Sequence, residues 1–166
     1  MKNLKLFESM ITKSFFKVYL ISDKPITKRD MSYKEPLSFI FDLRDAMKAY
    51  RWKKEKGDSH MSEVVGQWRI IDWPDLKSML EERGYDPEEF AFEVTKGLDE
   101  KDLAHIWDLP EMEELKLKWV WDGFLFPRET EYSDEPVDTI HLFESYSISA
   151  MGEINNPEKM FKMIYG

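Results

Sequence analysis

Apolar and polar positions change period several times along this chain, and each change predicts an element. Phe15 to Ser22 (FFKVYLIS) is dense in aromatic and β-branched residues and runs into Asp23-Lys24-Pro25, which predicts a strand ending in a turn. Ile26 to Pro36 reads as a polar connection, with Ser32 and Glu35 at capping-box spacing. Ile40, Leu43, Met47 and Tyr50 then recur at intervals of 3, 4 and 3. That is one stripe of a 3.6-residue period, and it predicts a helix stopping at Gly57. After a loop to about Ser62, Val64 to Ile71 (VVGQWRII) predicts a second strand.

Three helix starts follow. Asp72 precedes Pro74 and the apolar Leu76, Met79 and Leu80, with Gly84 as the stop. Asp86-Pro87-Glu88-Glu89 combines an N-cap acid, a first-turn proline and a capping-box glutamate, and Gly97 is expected to close that helix. Asp99 can cap a third, carrying Leu103, Ile106 and Trp107 before Pro110. From Leu115 the period becomes two: Leu115, Leu117, Trp119 and Trp121 alternate with Lys116, Lys118 and Val120, which predicts a strand that Pro127 ends. Arg128 to Pro136 is expected to be an acidic turn or loop. Asp138 to Ala150 predicts a second long strand, with Ile140, Leu142, Tyr146 and Ile148 on one face, and Asn156-Pro157-Glu158 opens a last helix. The order β-α-β-ααα-β-β-α does not alternate as a doubly wound parallel sheet would. The expected fold class is α+β: a single domain over residues 1–166, with a small, mainly antiparallel sheet packed with several short helices.

Composition narrows the chemistry. A chain of 166 residues, 42% apolar, suits one domain with its own core. With no cysteine there is no disulfide, thiolate metal site or cysteine nucleophile. The longest run without a formal charge, Ser145 to Gly152, is 8 residues. A membrane-spanning helix needs ~20 apolar residues and a secretory signal an apolar core of ~7–15 near its start. The expectation is a cytoplasmic protein with no membrane partner. Only 7 glycines occur, and the closest pair, Gly57 and Gly66, is nine positions apart. Phosphate-cradling loops need several glycines within a few positions, so no nucleotide cofactor is expected.

Charge divides the chain. The basic third, residues 1–56, carries 14 Lys/Arg against 7 Asp/Glu, whereas Asp86 to Glu114 alone holds 11 acids against 2 bases. Residues 57–166 form the acidic part, and the whole chain carries −9. Such asymmetry concerns partners more than fold, although the two parts can also neutralise each other within one domain.

No catalytic constellation is evident. Asp102, His105 and Asp108 sit at helical spacing, but a metal normally takes three or four ligands with supporting partners, so no metal site is expected. His141 would share a strand face with Ser145, Ser147 and Ser149, yet same-face neighbours lie ~7 Å apart, too far for direct activation. A hydroxyl-lined exposed face is the expectation there. The many glutamates fall in helix first turns and exposed faces, where acids need no catalytic reason. The chain is therefore expected not to be an enzyme.

Two binding readings remain. The first choice is a protein-binding role through an acidic surface of Glu88, Glu89, Glu93, Asp99, Glu100, Asp102, Asp108 and Glu111, with Phe90 and Trp107 as aromatic anchors. Trp73, Tyr85 and Phe92 are further candidate anchors. The expected partner is a protein with a cationic surface. In charge and size alone the chain resembles small acidic inhibitors and host-takeover factors of phages and mobile elements. A component of a larger, virion-like assembly is a variant of this reading. The alternative is nucleic-acid binding through the basic helix, where Arg44, Lys48 and Arg51 share a face and Trp52, Lys53 and Lys54 extend it.

Overall fold

The computed structural model describes residues 12–31, 37–98, 110–111, 120–143 and 147–166. In chain order the described elements are β1 (Ser14–Ser22), α1 (Lys28–Met31), β2 (Leu37–Ile40), α2 (Leu43–Lys56), β3 (His60–Trp68) and β4 (Ile70–Ile71). They continue with α3 (Trp73–Glu82), α4 (Pro87–Leu98), β5 (Gly123–Thr130), β6 (Ser133–Leu142), β7 (Ala150–Glu153) and α5 (Pro157–Tyr165). The strands form one seven-stranded sheet in the order β4-β5-β6-β2-β1-β3-β7. Among the described residues only the β4–β5 pair is parallel. The fold is α+β with a mainly antiparallel sheet, as expected.

The sheet is rolled, and its connectivity requires this. β3 and β4 are separated by Arg69 alone, yet β4 begins the sheet order and β3 stands sixth. Five strand spacings of ~4.8 Å would put them roughly 24 Å apart in a flat sheet. Two residues of extended chain span at most ~7 Å. The strand therefore pairs with β1 along β3, bends at Arg69, and passes to β5 along β4, as strands do at the corners of orthogonally packed sheets. Asp122 secures the bend: its carboxylate accepts the Arg69 N–H at 2.7 Å, and its own N–H donates to the Arg69 carbonyl at 2.8 Å.

Rolling creates an inside and two covered outer flanks. The inside gathers Val18, Phe39, Val64, Trp68, Ile140 and Leu142 from β1, β2, β3 and β6, with Met31 and Ile148 closing it. Phe16 stacks on Trp68 at 5.7 Å, and the Trp68 indole N–H donates to the Ser147 carbonyl at 2.7 Å. One outer flank packs Tyr19 and Met61 against Leu43, Ala46, Met47 and Tyr50 of α2, with Met160 and Phe161 of α5 beside them. The other packs Ile71, Phe124, Phe126 and Phe143 against Leu76 and Leu80 of α3 and Phe90 of α4.

Local signals set the helix ends, at Asp72, Asn156, Gly57 and Gly84 as read from the sequence and at Asp42 in addition. Asp42, Asp72 and Asn156 cap α2, α3 and α5 by accepting backbone N–H bonds from Arg44, Asp75 and Lys159. Gly57 ends α2, and Gly84 takes a φ of +80° just beyond α3. Several expectations need correction. Ile40 belongs to β2 rather than to the helix stripe, and β3 starts at His60, inside the expected loop. A short helix, α1, interrupts the expected polar connection. Pro127 lies within β5, and Arg128 to Pro136 is mostly β-hairpin around Glu131 and Tyr132. The reason is positional: β4 pairs only with Gly123 and Phe124, so among the described residues no strand lies beside Pro127 on that edge of β5, and its missing N–H costs no ladder bond there. β6 ends at Leu142 instead of continuing to Ala150. The capping-box pair Ser32 and Glu35, the Asp99-capped helix and the Leu115–Trp119 stretch lie outside the described residues.

Candidate binding surfaces

The acidic surface begins where α4 starts. The Asp86 carboxylate accepts the Glu88 N–H at 3.0 Å, which orients the first turn, and Pro87 is buried beneath it. Glu88 and Glu89 are exposed in that turn, where the helix dipole favours them. Glu81, Glu82 and Asp86 are exposed nearby at the end of α3 and in the connection. Phe90 is the correction: it is 1% exposed and packs 6.0 Å from Phe124, so it serves the core and cannot anchor a partner. Phe92, two positions on, is 64% exposed. It follows Glu88 by four and Glu89 by three, so acids and ring share one helix face. Tyr85 and Trp73 are half-buried against the α3–α4 core. Glu111 is a second correction, since it is buried and its Oε2 meets no hydrogen-bond partner among the described residues. The side chain of Glu93, and Asp99, Glu100, Asp102, Trp107 and Asp108, lie outside the described residues.

The basic helix α2 is partly engaged by the C-terminal helix. Arg51 grips Glu158 with two parallel bonds, Nε to Oε1 at 2.8 Å and Nη2 to Oε2 at 2.9 Å. This fork raises the Arg51 pKa and lowers that of Glu158, the side-chain hydrogen bond being the leading cause in each. The Arg51 guanidinium also lies 5.3 Å from the Phe161 ring, and Arg44 stands 4.6 Å from the Tyr165 ring. Lys48 reaches Asp45 at 4.0 Å. Trp52 is not an open stacking platform: Lys56 Nζ sits 3.7 Å over its ring and Tyr132 lies 6.2 Å away. Lys53 is half-buried and Lys54 exposed. A pocket of about 430 Å³ beside Trp52 mixes Arg128 with Glu129 and Glu131, so its charge favours neither sign.

His141 occupies the outer face of β6, completely buried. Its ring stacks on Phe124 at 4.8 Å. The Thr139 hydroxyl donates to the Phe126 carbonyl at 3.0 Å and lies 3.1 Å from His141 Nε2. Having spent its one proton, the hydroxyl can only accept, so Nε2 carries the imidazole proton and Nδ1 is bare. Burial drives the His141 pKa down to about 3, with Arg128 adding to the effect. The expected exposed hydroxyl face is thus overturned at His141, whose buried neighbour is the Thr139 hydroxyl. The same-face spacing of ~7 Å describes backbones, and the two side chains lean together across it. Ser147 and Ser149 sit beyond the end of β6, and Ser145 lies outside the described residues. Among the described residues no group of three or more His, Asp or Glu is placed to hold a metal, and the Asp102, His105 and Asp108 set falls outside them.

Sequence reading missed the tip of α5. Met163 is 77% exposed, Ile164 58% and Tyr165 44%. The signal was present: Met160, Phe161, Met163, Ile164 and Tyr165 fill more than one helical stripe, so a single core cannot take them all. Beside them, a pocket of about 640 Å³ opens between α2 and α5, lined by Arg51, Glu158, Lys159, Phe161 and Lys162 among others. Among the described residues no helix is long and apolar enough to cross a membrane. No protein-family model, curated protein or solved structure matches this chain.

Proposed function

We propose that this protein works in the cytoplasm by binding another protein through the α3–α4 flank, with no catalysis of its own. The observation that carries the reading is Phe92, a large apolar side chain left 64% exposed in mid-helix beside the exposed carboxylates Glu88 and Glu89. An exposed aromatic rimmed by charge is the composition of an interface anchor, whereas scattered surface acids alone would only keep a protein soluble. The matching partner surface is cationic with an apolar recess. Occupying such a surface would make the protein an inhibitor of whatever normally binds there. Nucleic-acid binding through α2 is the weaker reading, because Arg51 is committed to Glu158 and Trp52 is covered by Lys56.

The test is capture from source-cell lysate with tagged full-length protein, with and without nuclease. A stoichiometric protein partner should survive nuclease, be lost with Phe92→Ala or with Glu88→Lys/Glu89→Lys, and be retained with Arg44→Glu/Lys48→Glu. Loss on nuclease treatment, or the reverse pattern among the variants, would overturn the reading in favour of α2.

A further inference from the structure

We propose that the pocket between α2 and α5 receives Phe92 of a second copy of this chain, so that the protein associates head to tail. The inference rests on reading the Phe92 face as a contact surface, and it names one occupant for that face.

The two surfaces are complementary in charge, and the pocket is large enough to take a phenyl ring. Phe92 projects from α4 with Glu88 and Glu89 on the same side. The pocket, about 640 Å³, offers the Phe161 ring as a wall and Lys159 and Lys162 on its rim. A phenyl ring entering there exchanges water for Phe161 and the Arg51 guanidinium plane, while the two glutamates meet the two lysines. The Arg51–Glu158 fork holds the pocket's shape, because it ties α5 to α2 at one fixed spacing.

The occupant cannot be the same molecule's own Phe92. α4 packs on the flank built over Phe124, and α5 on the flank built over Tyr19 and Met61. Knob and socket thus belong to different flanks of one roll. A contact between unlike surfaces is heterologous, and it either closes into a ring or continues as a chain.

Sedimentation of the full chain over a concentration series tests this. Wild type should show reversible association, and Phe92→Ala should weaken it by about tenfold or more. Glu88→Lys/Glu89→Lys and Lys159→Glu/Lys162→Glu should each sediment as monomers; all four side chains are exposed, so the reversed helix-end charges cost the fold little, and circular dichroism of each variant would check that it is folded. Mixed one to one, these two variants should associate again, because each retains the surface that the other needs. A wild-type monomer throughout, association unaffected by the three variants, or no recovery on mixing would overturn the proposal. A monomer that still captures a foreign protein through Phe92 would overturn self-docking alone and leave the proposed function standing.

Discussion

Asp122 holds Arg69 at backbone and side chain together. Its carboxylate takes the Arg69 N–H at 2.7 Å and lies 3.5 Å from the Arg69 Nε, while its own N–H returns a bond to the Arg69 carbonyl at 2.8 Å. Both side chains are mostly buried, and the Asp122 carbonyl accepts from Phe143 at 2.9 Å. One acid thereby ties the bend between β3 and β4 to the end of β6. Asp122→Ala should cost about 2–3 kcal/mol, because it strands a charged partner and a backbone N–H. Asp122→Asn keeps an acceptor and should cost roughly half as much. Urea unfolding midpoints, with the slope unchanged, would check both.

Among the described residues, glycine is required at two places for reasons of space. A Cβ at Gly123 would run into the backbone carbonyl of His141, and one at Gly66 into the Trp68 indole. Backbone cannot yield as a side chain tip can, so Gly123→Ala should be the worse, at about 3 kcal/mol. Gly152→Ala meets open space and should stay within about 0.5 kcal/mol of wild type. Thermal melts of the three variants would rank them.

The buried imidazole makes stability between pH 7.5 and 5 depend on His141. His141 stays neutral in the fold until pH falls to about 3, whereas an unfolded histidine protonates near 6.5. The unfolded state therefore binds the extra proton below pH 6.5, and the native state loses ground as pH drops towards 3. The histidine's contribution is fully present above 6.5, and about 2 kcal/mol of it should be gone by pH 5. His141→Phe keeps the ring against Phe124 and should remove this slope. Urea titrations of both proteins from pH 7.5 to 5 would compare the two slopes, and equal slopes would contradict the assignment.

The Arg51–Glu158 fork joins two half-exposed side chains. Solvent screening limits it to about 0.5–1 kcal/mol. A double-mutant cycle on Arg51→Ala and Glu158→Ala should return that coupling, smaller at 0.5 M salt than at 0.05 M.

Much of the fold was legible because its signals are local. Asp72, Asp86 and Asn156 announce helix starts within three residues of the groups they bond. What was not legible depends on residues distant in sequence. Pro127 looks like a terminator until β4 is seen to cover only two residues of β5. His141 reads as part of an exposed hydroxyl face because nothing nearby announces that Phe124 and Phe126 will lie against the ring. Phe90 and Phe92 are equivalent in composition, and only the packing of α4 on Phe124 sends one in and the other out. The partner of Arg51 lies 107 residues away.

The single residue between β3 and β4 also bears on how the chain opens. One continuous stretch pairs with Ser14–Ser22 on one side of Arg69 and with Gly123–Phe124 on the other. Releasing that stretch from either neighbour unzips the roll, so the amides of β1 and β5 should share one opening free energy in hydrogen exchange instead of forming separate units. Folding carries the matching cost: the β4–β5 pairing joins residues more than fifty positions apart, and such distant closures make for slow assembly. A cut at Arg69 would therefore be expected to leave two fragments that fold only in each other's presence.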